Sequence, residues 1–407
     1  MPAYPPMRAL DAFQIEQDGQ PMIVIRDPAQ LCPQALLVPL PVYLIMTLLD
    51  GERDAAAIQA AIMQATQGQI IPAAQIDRLV GQFDELYLLA SGRAAERMRR
   101  MEEEFAARLT RPAVHAGQAY PAEAAECRAL FDEFFAELAR RDGQGPRPRG
   151  LVVPHIDLRL GGRCLARGLA TLDAHRPPRL FVILGVAHQG SKNLFTLTDK
   201  SFETPLGLLR TDRGAAERLR QLYGAGRLDG EYAHRFEHSV EFPALALRYL
   251  YGEGPPEPAA LPILCGSLHE SFAPGAGSPL ARPEVREFIE ALRRLIEEYE
   301  GDVALIASVD LSHVGRKFGE ERGIDAGRPA EVETADRAML AHLERGQAEA
   351  FFDDFRADAN ARNVDAVTAV YVMMQALGPA PARLIEYQQW HERETDSMVT
   401  FASMVVD

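Results

Sequence analysis

Three histidines follow apolar runs that have the composition of buried strands. His155 follows LVVP, His188 follows FVILGVA, and His313 lies just beyond ALIASVD. In an open α/β sheet, ligands bind at the carboxyl ends of the strands, where the connecting loops converge. Imidazole is a ligand for iron, copper and zinc, and it exchanges protons near neutral pH. The spacing therefore predicts that the three rings converge on one site.

Carboxylates accompany these histidines. Asp310 precedes His313 by three residues, so in a turn the pair could form a hydrogen bond that orients the ring and raises its basicity. We expect Asp310 and His313 to provide acid–base catalysis. The segment EHSVEFP adds His238 and Glu241 as pocket candidates. The alternative for the acidic residues of this segment, which include Glu237, is a helix N-terminus stabilised by the helix dipole.

A fourth apolar run shows that spacing alone does not separate site histidines from other histidines that follow a strand. LPILCGSLHE also leads from a strand to a histidine, so His269 and Cys265 remain alternatives for the site. The chain has no glycine-rich phosphate loop, no G-x-S-x-G motif and no HExxH motif. Two histidines with one carboxylate are typical of non-haem iron(II), so the residues predict a metal site without naming its reaction.

The elements that would position these residues change along the chain. Beyond Pro112, apolar runs such as LFVILG and VALIASVD alternate with helical patterns such as PEVREFIEALRRLIEEYE. This alternation predicts an α/β fold with a mostly parallel central sheet flanked by helices, over residues 111–407. Residues 1–92 predict a small α+β winged-helix-like domain, with a hairpin turn at Asp18–Gly19 and three helices. Residues 93–110 predict a charged helical linker.

Composition limits the partners and the location. The formal net charge of -15 opposes binding to nucleic acid. No window approaches the ~18 apolar residues that a membrane span needs, and the N-terminus lacks the pattern of a secretion signal. The four cysteines are scattered, which favours reduced thiols and a cytoplasmic location over a disulfide framework.

Seven segments of the chain occur in the order found in one known family. The chain resembles the Memo family over residues 111–407; bacterial and archaeal members are called AmmeMemoRadiSam system protein B. The resemblance implies a fold similar to class III extradiol dioxygenases, a pocket for iron or copper rather than zinc, and a radical-SAM partner of the same system. The seven segments are HAGQAYP, VVPHIDLRLGG, ILGVAHQG, FETPLG, EHSVEFPALAL, SVDLSHVG and SMVTFASMVV.

Carried over residue by residue, the resemblance places His155 and His188 on the two histidine ligands of the family. Asp310 and His313 fall on the Asp-x-x-His of its pocket. The third ligand of the family is a cysteine, and the matching stretch here, ADANARNVDAV, puts Asn360 in that place. A neutral amide is a poor ligand for a soft metal, so a site that depends on a thiolate is not expected.

Two functions follow from these expectations. The first is a redox enzyme that uses iron or copper at His155 and His188, with His313 as acid–base aided by Asp310. Asn360 stands in the place of the third ligand, with Arg362 as a further pocket residue; either a carboxylate such as Asp310 or Glu241 completes the shell, or the site binds metal weakly. The second is a non-catalytic scaffold or carrier that has lost a metal ligand at Asn360. The N-terminal domain is expected either to recruit a protein or peptide partner through its hairpin edge, or to pack permanently on the main domain or on its own copy in a homodimer.

Overall fold

The computed structural model divides the chain into two compact units, Met1–Ala107 and Arg108–Asp407. The predicted linker, residues 93–110, lies mainly in a helix that this division assigns to the first unit. The predicted domain boundaries and the likeness to a winged helix stay predictions. The structure describes residues 3–17, 19–66, 68, 70–138, 147–173, 175–252, 257–273 and 275–407.

The first unit contains a three-stranded antiparallel sheet of order β1-β2-β3, and four helices. A two-residue connection joins β1 to β2, and Gly19 in it has a φ of 74°. This positive φ explains a glycine there, whereas Asp18 of the predicted turn lies outside the described residues. The elements are β1 (Asp11–Gln17), β2 (Gln20–Arg26), β3 (Leu36–Pro39), α1 (Leu40–Thr47), α2 (Ala55–Ala65), α3 (Ala73–Glu85) and α4 (Gly92–Ala106).

Helix α4 differs from the solvated connector that its charges predict. Its side chains Ala94, Met101 and Phe105 are buried. These residues lie seven and four positions apart, so they share one face of the helix. The helix begins after Ser91, whose side chain accepts a hydrogen bond from the Ala94 amide.

The second unit is built on an eight-stranded sheet of order β12-β14-β5-β11-β6-β10-β7, with β13 paired to β14. The α/β prediction is confirmed: β5, β11, β6 and β10 are parallel and form the centre. The flanking strands pair antiparallel. The eight strands of this sheet are β5 (Gly150–Val153), β6 (Leu180–Val186), β7 (Phe195–Leu197), β10 (Ala259–Cys265), β11 (Val303–Ser308), β12 (His313–Gly315), β13 (Ala382–Glu392) and β14 (Ser397–Val406). A separate three-stranded sheet of order β4-β8-β9 consists of β4 (Thr110–Arg111), β8 (Ser201–Thr204) and β9 (Gly207–Leu209).

Helices cover both faces of this sheet. Alternate residues of β6 enter different cores: Val182 and Leu184 belong to one cluster, whereas Phe181 and Ile183 belong to the other. This two-sided burial is why the strands are apolar throughout. The helices are α5 (Ala124–Phe135), α6 (Leu158–Leu169), α7 (Arg213–Tyr223), α8 (His238–Tyr251), α9 (Pro283–Glu298), α10 (Arg328–Glu344), α11 (Ala348–Asp358) and α12 (Val367–Leu377). Within the described part of the chain, no helix combines the length and apolar character that a membrane crossing requires.

His234 is a buried, neutral histidine of the second unit. Its side chain is 0% exposed, and its Nε2 donates to the Thr196 carbonyl oxygen at 3.0 Å. Burial lowers the pKa of His234 to about 4. The unfolded chain has the ordinary histidine pKa of about 6.5 and therefore binds a proton at a higher pH than the folded chain. The stability due to neutral His234 is thus present above pH ~6.5 and is lost as the pH falls toward ~4.

We expect His234 to lower the free energy of unfolding by about 2 kcal/mol between pH ~7 and pH ~5. Gln in place of His234 cannot titrate and keeps a donor for the Thr196 carbonyl. Urea denaturation of the wild type and of His234→Gln at the two pH values measures the difference. Equal pH dependence in both proteins would show that His234 is not the responsible group.

Candidate metal centre

The carboxyl edge of the central sheet brings five polar side chains together. His155, His188 and Asp310 each lie two residues beyond the end of a parallel strand, namely β5, β6 and β11. His238 is the first residue of α8, and Asp365 lies two residues before α12. Parallel strands end at the same edge, so residues distant in sequence meet there.

Two overlapping groups in this cluster have the spacing of a metal site. Ligand atoms of His155, His188 and His238 lie within 4.8 Å of one another, and so do those of His155, Asp310 and Asp365. The ring centroids of His155 lie 4.9 Å from those of both His188 and His238. The His188 and His238 centroids are 4.7 Å apart. The sequence predicts that His155, His188 and His313 converge; the structure brings the first two together with His238 and places His313 in neither group.

The Nδ1 atom of each clustered histidine faces an acceptor. Nδ1 of His155 lies 2.9 Å from the Ser308 carbonyl oxygen. Nδ1 of His188 lies 2.9 Å from Oε1 of Glu237, and Nδ1 of His238 lies 3.3 Å from the same oxygen. A proton on Nδ1 satisfies these acceptors and leaves Nε2 with a free lone pair. Metal-ligating histidines are commonly oriented in this way by a carboxylate or a carbonyl.

Asp365 supplies a carboxylate oxygen to the same space. Its Oδ2 lies 3.1 Å from Nε2 of His155 and 3.6 Å from Nε2 of His188. Oδ1 accepts from the Asp310 amide at 2.8 Å, whereas Oδ2 is buried and forms no hydrogen bond among the described residues. A buried anionic oxygen of this kind needs a positive partner. The two histidines and the carboxylate therefore fit a divalent cation.

The charges of the cluster balance only if the pocket holds positive charge. Burial opposes protonation of His188, but the negative charges of Glu237 and Asp365 raise its pKa to about 10. The pKa of His238 is well below its ordinary value, because burial and the neighbouring His155 both oppose protonation. Burial works against the charge on Asp365, but His155 holds the pKa of that carboxyl below its usual range. Imidazolium or a bound cation can supply the positive charge.

His313 belongs to neither group. Its Nδ1 lies 3.0 Å from the Leu311 carbonyl oxygen and 3.2 Å from that of Asn363. His313 is already the first residue of β12, which pairs with β14. In the described chain, Asp310 does not form the expected hydrogen bond with His313. Its Oδ1 accepts instead from the amides of His155 and Ile156, at 3.1 and 3.2 Å.

Asn360 uses its side chain to close a loop. Its φ is 57°, its Oδ1 accepts from the Val364 amide at 2.9 Å, and its Nδ2 donates to the Val364 carbonyl at 2.9 Å. Arg362 donates to Oδ1 of Asp336 at 2.8 Å. These bonds engage both polar atoms of Asn360, and they tie Arg362 to Asp336. The residue that sequence reasoning missed is Asp365, although it lies in the same stretch, ADANARNVDAV.

Glu241 also has a structural partner. It is fully buried with Arg111, which donates to its Oε2, and it accepts from the Tyr120 hydroxyl and the His115 amide. Arg111 in turn donates to the Glu237 carbonyl at 2.8 Å. Glu241 therefore anchors the start of α8 and lies in neither ligand group. The sequence suggested Glu241 as a pocket residue only because of its place in the segment EHSVEFP.

Glu237 orients the cluster from the N-terminus of α8. Its side chain caps the helix by accepting from the Ser239 amide at 3.0 Å, and its Oε2 accepts from the His188 amide at 3.1 Å. The alternatives from the fourth strand are absent from both groups: Cys265 is buried at the end of β10, and His269 is exposed. The sequence could distinguish neither of them from the true cluster.

Several known proteins are similar to this chain. The family model described as Memo-like protein matches residues 111–405. A MEMO1 family protein from Aquifex aeolicus is 29% identical over 396 residues, which cover 97% of this chain and 98% of that protein. One from Thermus thermophilus is 27% identical over 339 residues, with 83% and 95% covered. A crystal structure of an uncharacterized Escherichia coli K12 protein covers 64% of this chain and 100% of its own, with 13% identity and a TM-score of 0.37.

Proposed function

Since this chain belongs to the Memo-like protein family, we propose that its histidine cluster binds one first-row transition-metal ion, iron or copper ahead of zinc. The observation that carries this proposal is the shared orientation of His155 and His188, each with Nδ1 hydrogen-bonded to an acceptor, in one ligand group with His238. His155, His188 and Asp365 would hold the ion, with His238 as a further ligand. Two histidines and one carboxylate favour iron(II), because the oxygen donor suits a harder ion than a thiolate does.

We propose that the pocket serves a redox reaction. A bound iron or copper ion would supply one-electron chemistry and polarise a ligand oxygen. His313 is the candidate for proton transfer at the edge of the pocket, because its Nδ1 faces two carbonyl oxygens and leaves Nε2 free. Asp310 would act on His155, whose amide it binds, and would hold that residue in position.

A non-catalytic scaffold or carrier is the second candidate. Asn360 favours it, because an amide that binds Val364 with both polar atoms cannot replace the cysteine implied by the family resemblance. In that case the cluster would persist as a structural feature held together by ion pairs. The metal measurement below separates the two functions.

The partner and the location are also proposals. The family resemblance supports a radical-SAM protein of the same system as the partner. All four cysteines are free and buried, which supports a reducing compartment such as the cytoplasm. Co-purification of the full chain with that radical-SAM protein would test the first proposal.

Metal analysis of the protein, purified without an affinity tag and without added metal, tests the function directly. We expect about one metal ion per chain in the wild type, and loss of that ion in His155→Ala. His269→Ala is the matched control, because His269 lies outside both ligand groups and should leave metal content unchanged. Wild-type protein that binds neither iron, copper nor zinc on titration would support the scaffold instead.

A further inference from the structure

Strand β1 is a free edge of the small antiparallel sheet. Within the described residues it pairs only with β2, and six of its seven side chains are exposed. Natural edge strands are usually short, or carry lysine, proline or a bulge that prevents pairing with another chain. The opposite edge, β3, has four residues and ends at Pro39. By contrast, DAFQIEQ contains no proline, lysine or arginine, and its register with β2 is unbroken.

The hairpin geometry determines which backbone groups of β1 are free. Gln17 lies opposite Gln20 across a two-residue connection, so these two residues form the hydrogen-bonded pair that closes the hairpin. Backbone groups alternate in direction along a strand. The groups of Ala12, Gln14 and Glu16 therefore point to the free side of β1, where a further strand could bind them.

We propose that this edge binds β1 of a second copy of the chain, antiparallel and centred on Gln14. This register pairs all three free residues, because Gln14 meets its own copy and Ala12 meets Glu16. The remaining opposed pairs are Phe13 with Ile15 and Asp11 with Gln17. No pair places like charges opposite each other, so β1 is complementary to itself.

The outer face of the sheet favours the same partner. Phe13 lies opposite Val24, and Ile15 lies opposite Met22, so these apolar side chains share one face. Leu37 of β3 extends that face; Ile15 is 37% and Leu37 is 41% exposed. Pairing through β1 would join two such faces into one six-stranded sheet and bring Phe13 of each copy against Ile15 of the other.

Two substitutions of one kind test the register. In Gln14→Lys, two like charges meet at the dyad, and we expect the dimer to dissociate about fivefold more readily. In Gln17→Lys, each new charge faces Asp11 of the other copy, and we expect about fivefold tighter association. Both residues are exposed. Light scattering of the full-length chain over a range of concentrations measures association, and thermal melts verify folding.

Cysteine cross-linking gives a second readout. Phe13→Cys mixed with Ile15→Cys should form a disulfide-linked dimer, because the two positions are directly opposed and all native cysteines are buried. Each variant alone should form much less. Three results would overturn the proposal: wild-type protein that stays monomeric at every concentration, lysine variants that shift association in the same direction, or single variants that cross-link as well as the mixture.

Discussion

Arg111→Met is expected to lower the free energy of unfolding by about 3–5 kcal/mol. Arg111 and Glu241 form an ion pair with both side chains 0% exposed. Without the guanidinium, the donors that remain to the buried Glu241 carboxylate among the described residues are the Tyr120 hydroxyl and the His115 amide. An unpaired buried charge is far more costly than the pair itself is favourable, so the loss should be large. Urea denaturation measures it.

The double variant Arg111→Met with Glu241→Met shows whether the unpaired charge of Glu241 causes the loss of stability. Because it removes the stranded charge as well as its partner, we expect it to be more stable than Arg111→Met alone. The backbone carbonyls of His234 and Glu237 lose the same donor in both variants, so they cancel in the comparison. A double variant as unstable as the sum of the two single variants would show that lost packing, rather than charge, dominates.

Asp365→Asn is expected to weaken metal binding about 100-fold or more. Loss of a residue that only orients a ligand already costs about 10–100-fold, and Asp365 directs its own oxygen at Nε2 of His155. The amide keeps the size of the side chain and an acceptor for the Asp310 amide, so the fold should persist. Isothermal titration with iron(II) and zinc measures the affinity.

Asp325→Asn is the matched control: it is the same substitution at an exposed carboxylate outside both ligand groups, and it should leave metal affinity unchanged. We expect Asp365→Cys to gain affinity for copper or zinc, because a thiolate is a softer ligand than a carboxylate. That gain should grow with pH, because a thiol must lose its proton to bind. If Asp365→Asn kept the metal as well as Asp325→Asn does, the assignment of Asp365 as a ligand would be wrong.

The parts of this site that the sequence predicts are those attached to strands. His155 and His188 follow long apolar runs, and a strand end fixes their position whatever the loops do. The antiparallel flanks of the sheet were not predicted, because β14 looks like any other apolar run. Its antiparallel pairing with β13 depends on the short connection between them, and its pairing with β5 depends on contacts distant in sequence.

The positions of Asn360 and His313 depend on the geometry of the loops that carry them. Asn360 and Asp365 lie five positions apart in one loop. Three residues of this loop have positive φ, namely Ala359, Asn360 and Asn363, so spacing in the sequence alone does not show which side chain faces the histidines. His313 was expected in the cluster because it follows an apolar run, as His155 and His188 do, but it is already the first residue of β12. His238 was predicted only as a candidate, since its place requires the start of α8 to meet the end of β6.

The Glu237 carboxylate makes two contacts that link α8 to the cluster. It caps α8 by accepting from the Ser239 amide, and it holds the ring of His188 by accepting from Nδ1. Any opening of the first turn of α8 therefore also frees that ring, and a ligand held by the ring opposes the opening. Amide exchange at the start of α8 and occupancy of the cluster are thus thermodynamically linked. Amide exchange in the first turn of α8 would therefore report whether the histidine cluster holds a ligand.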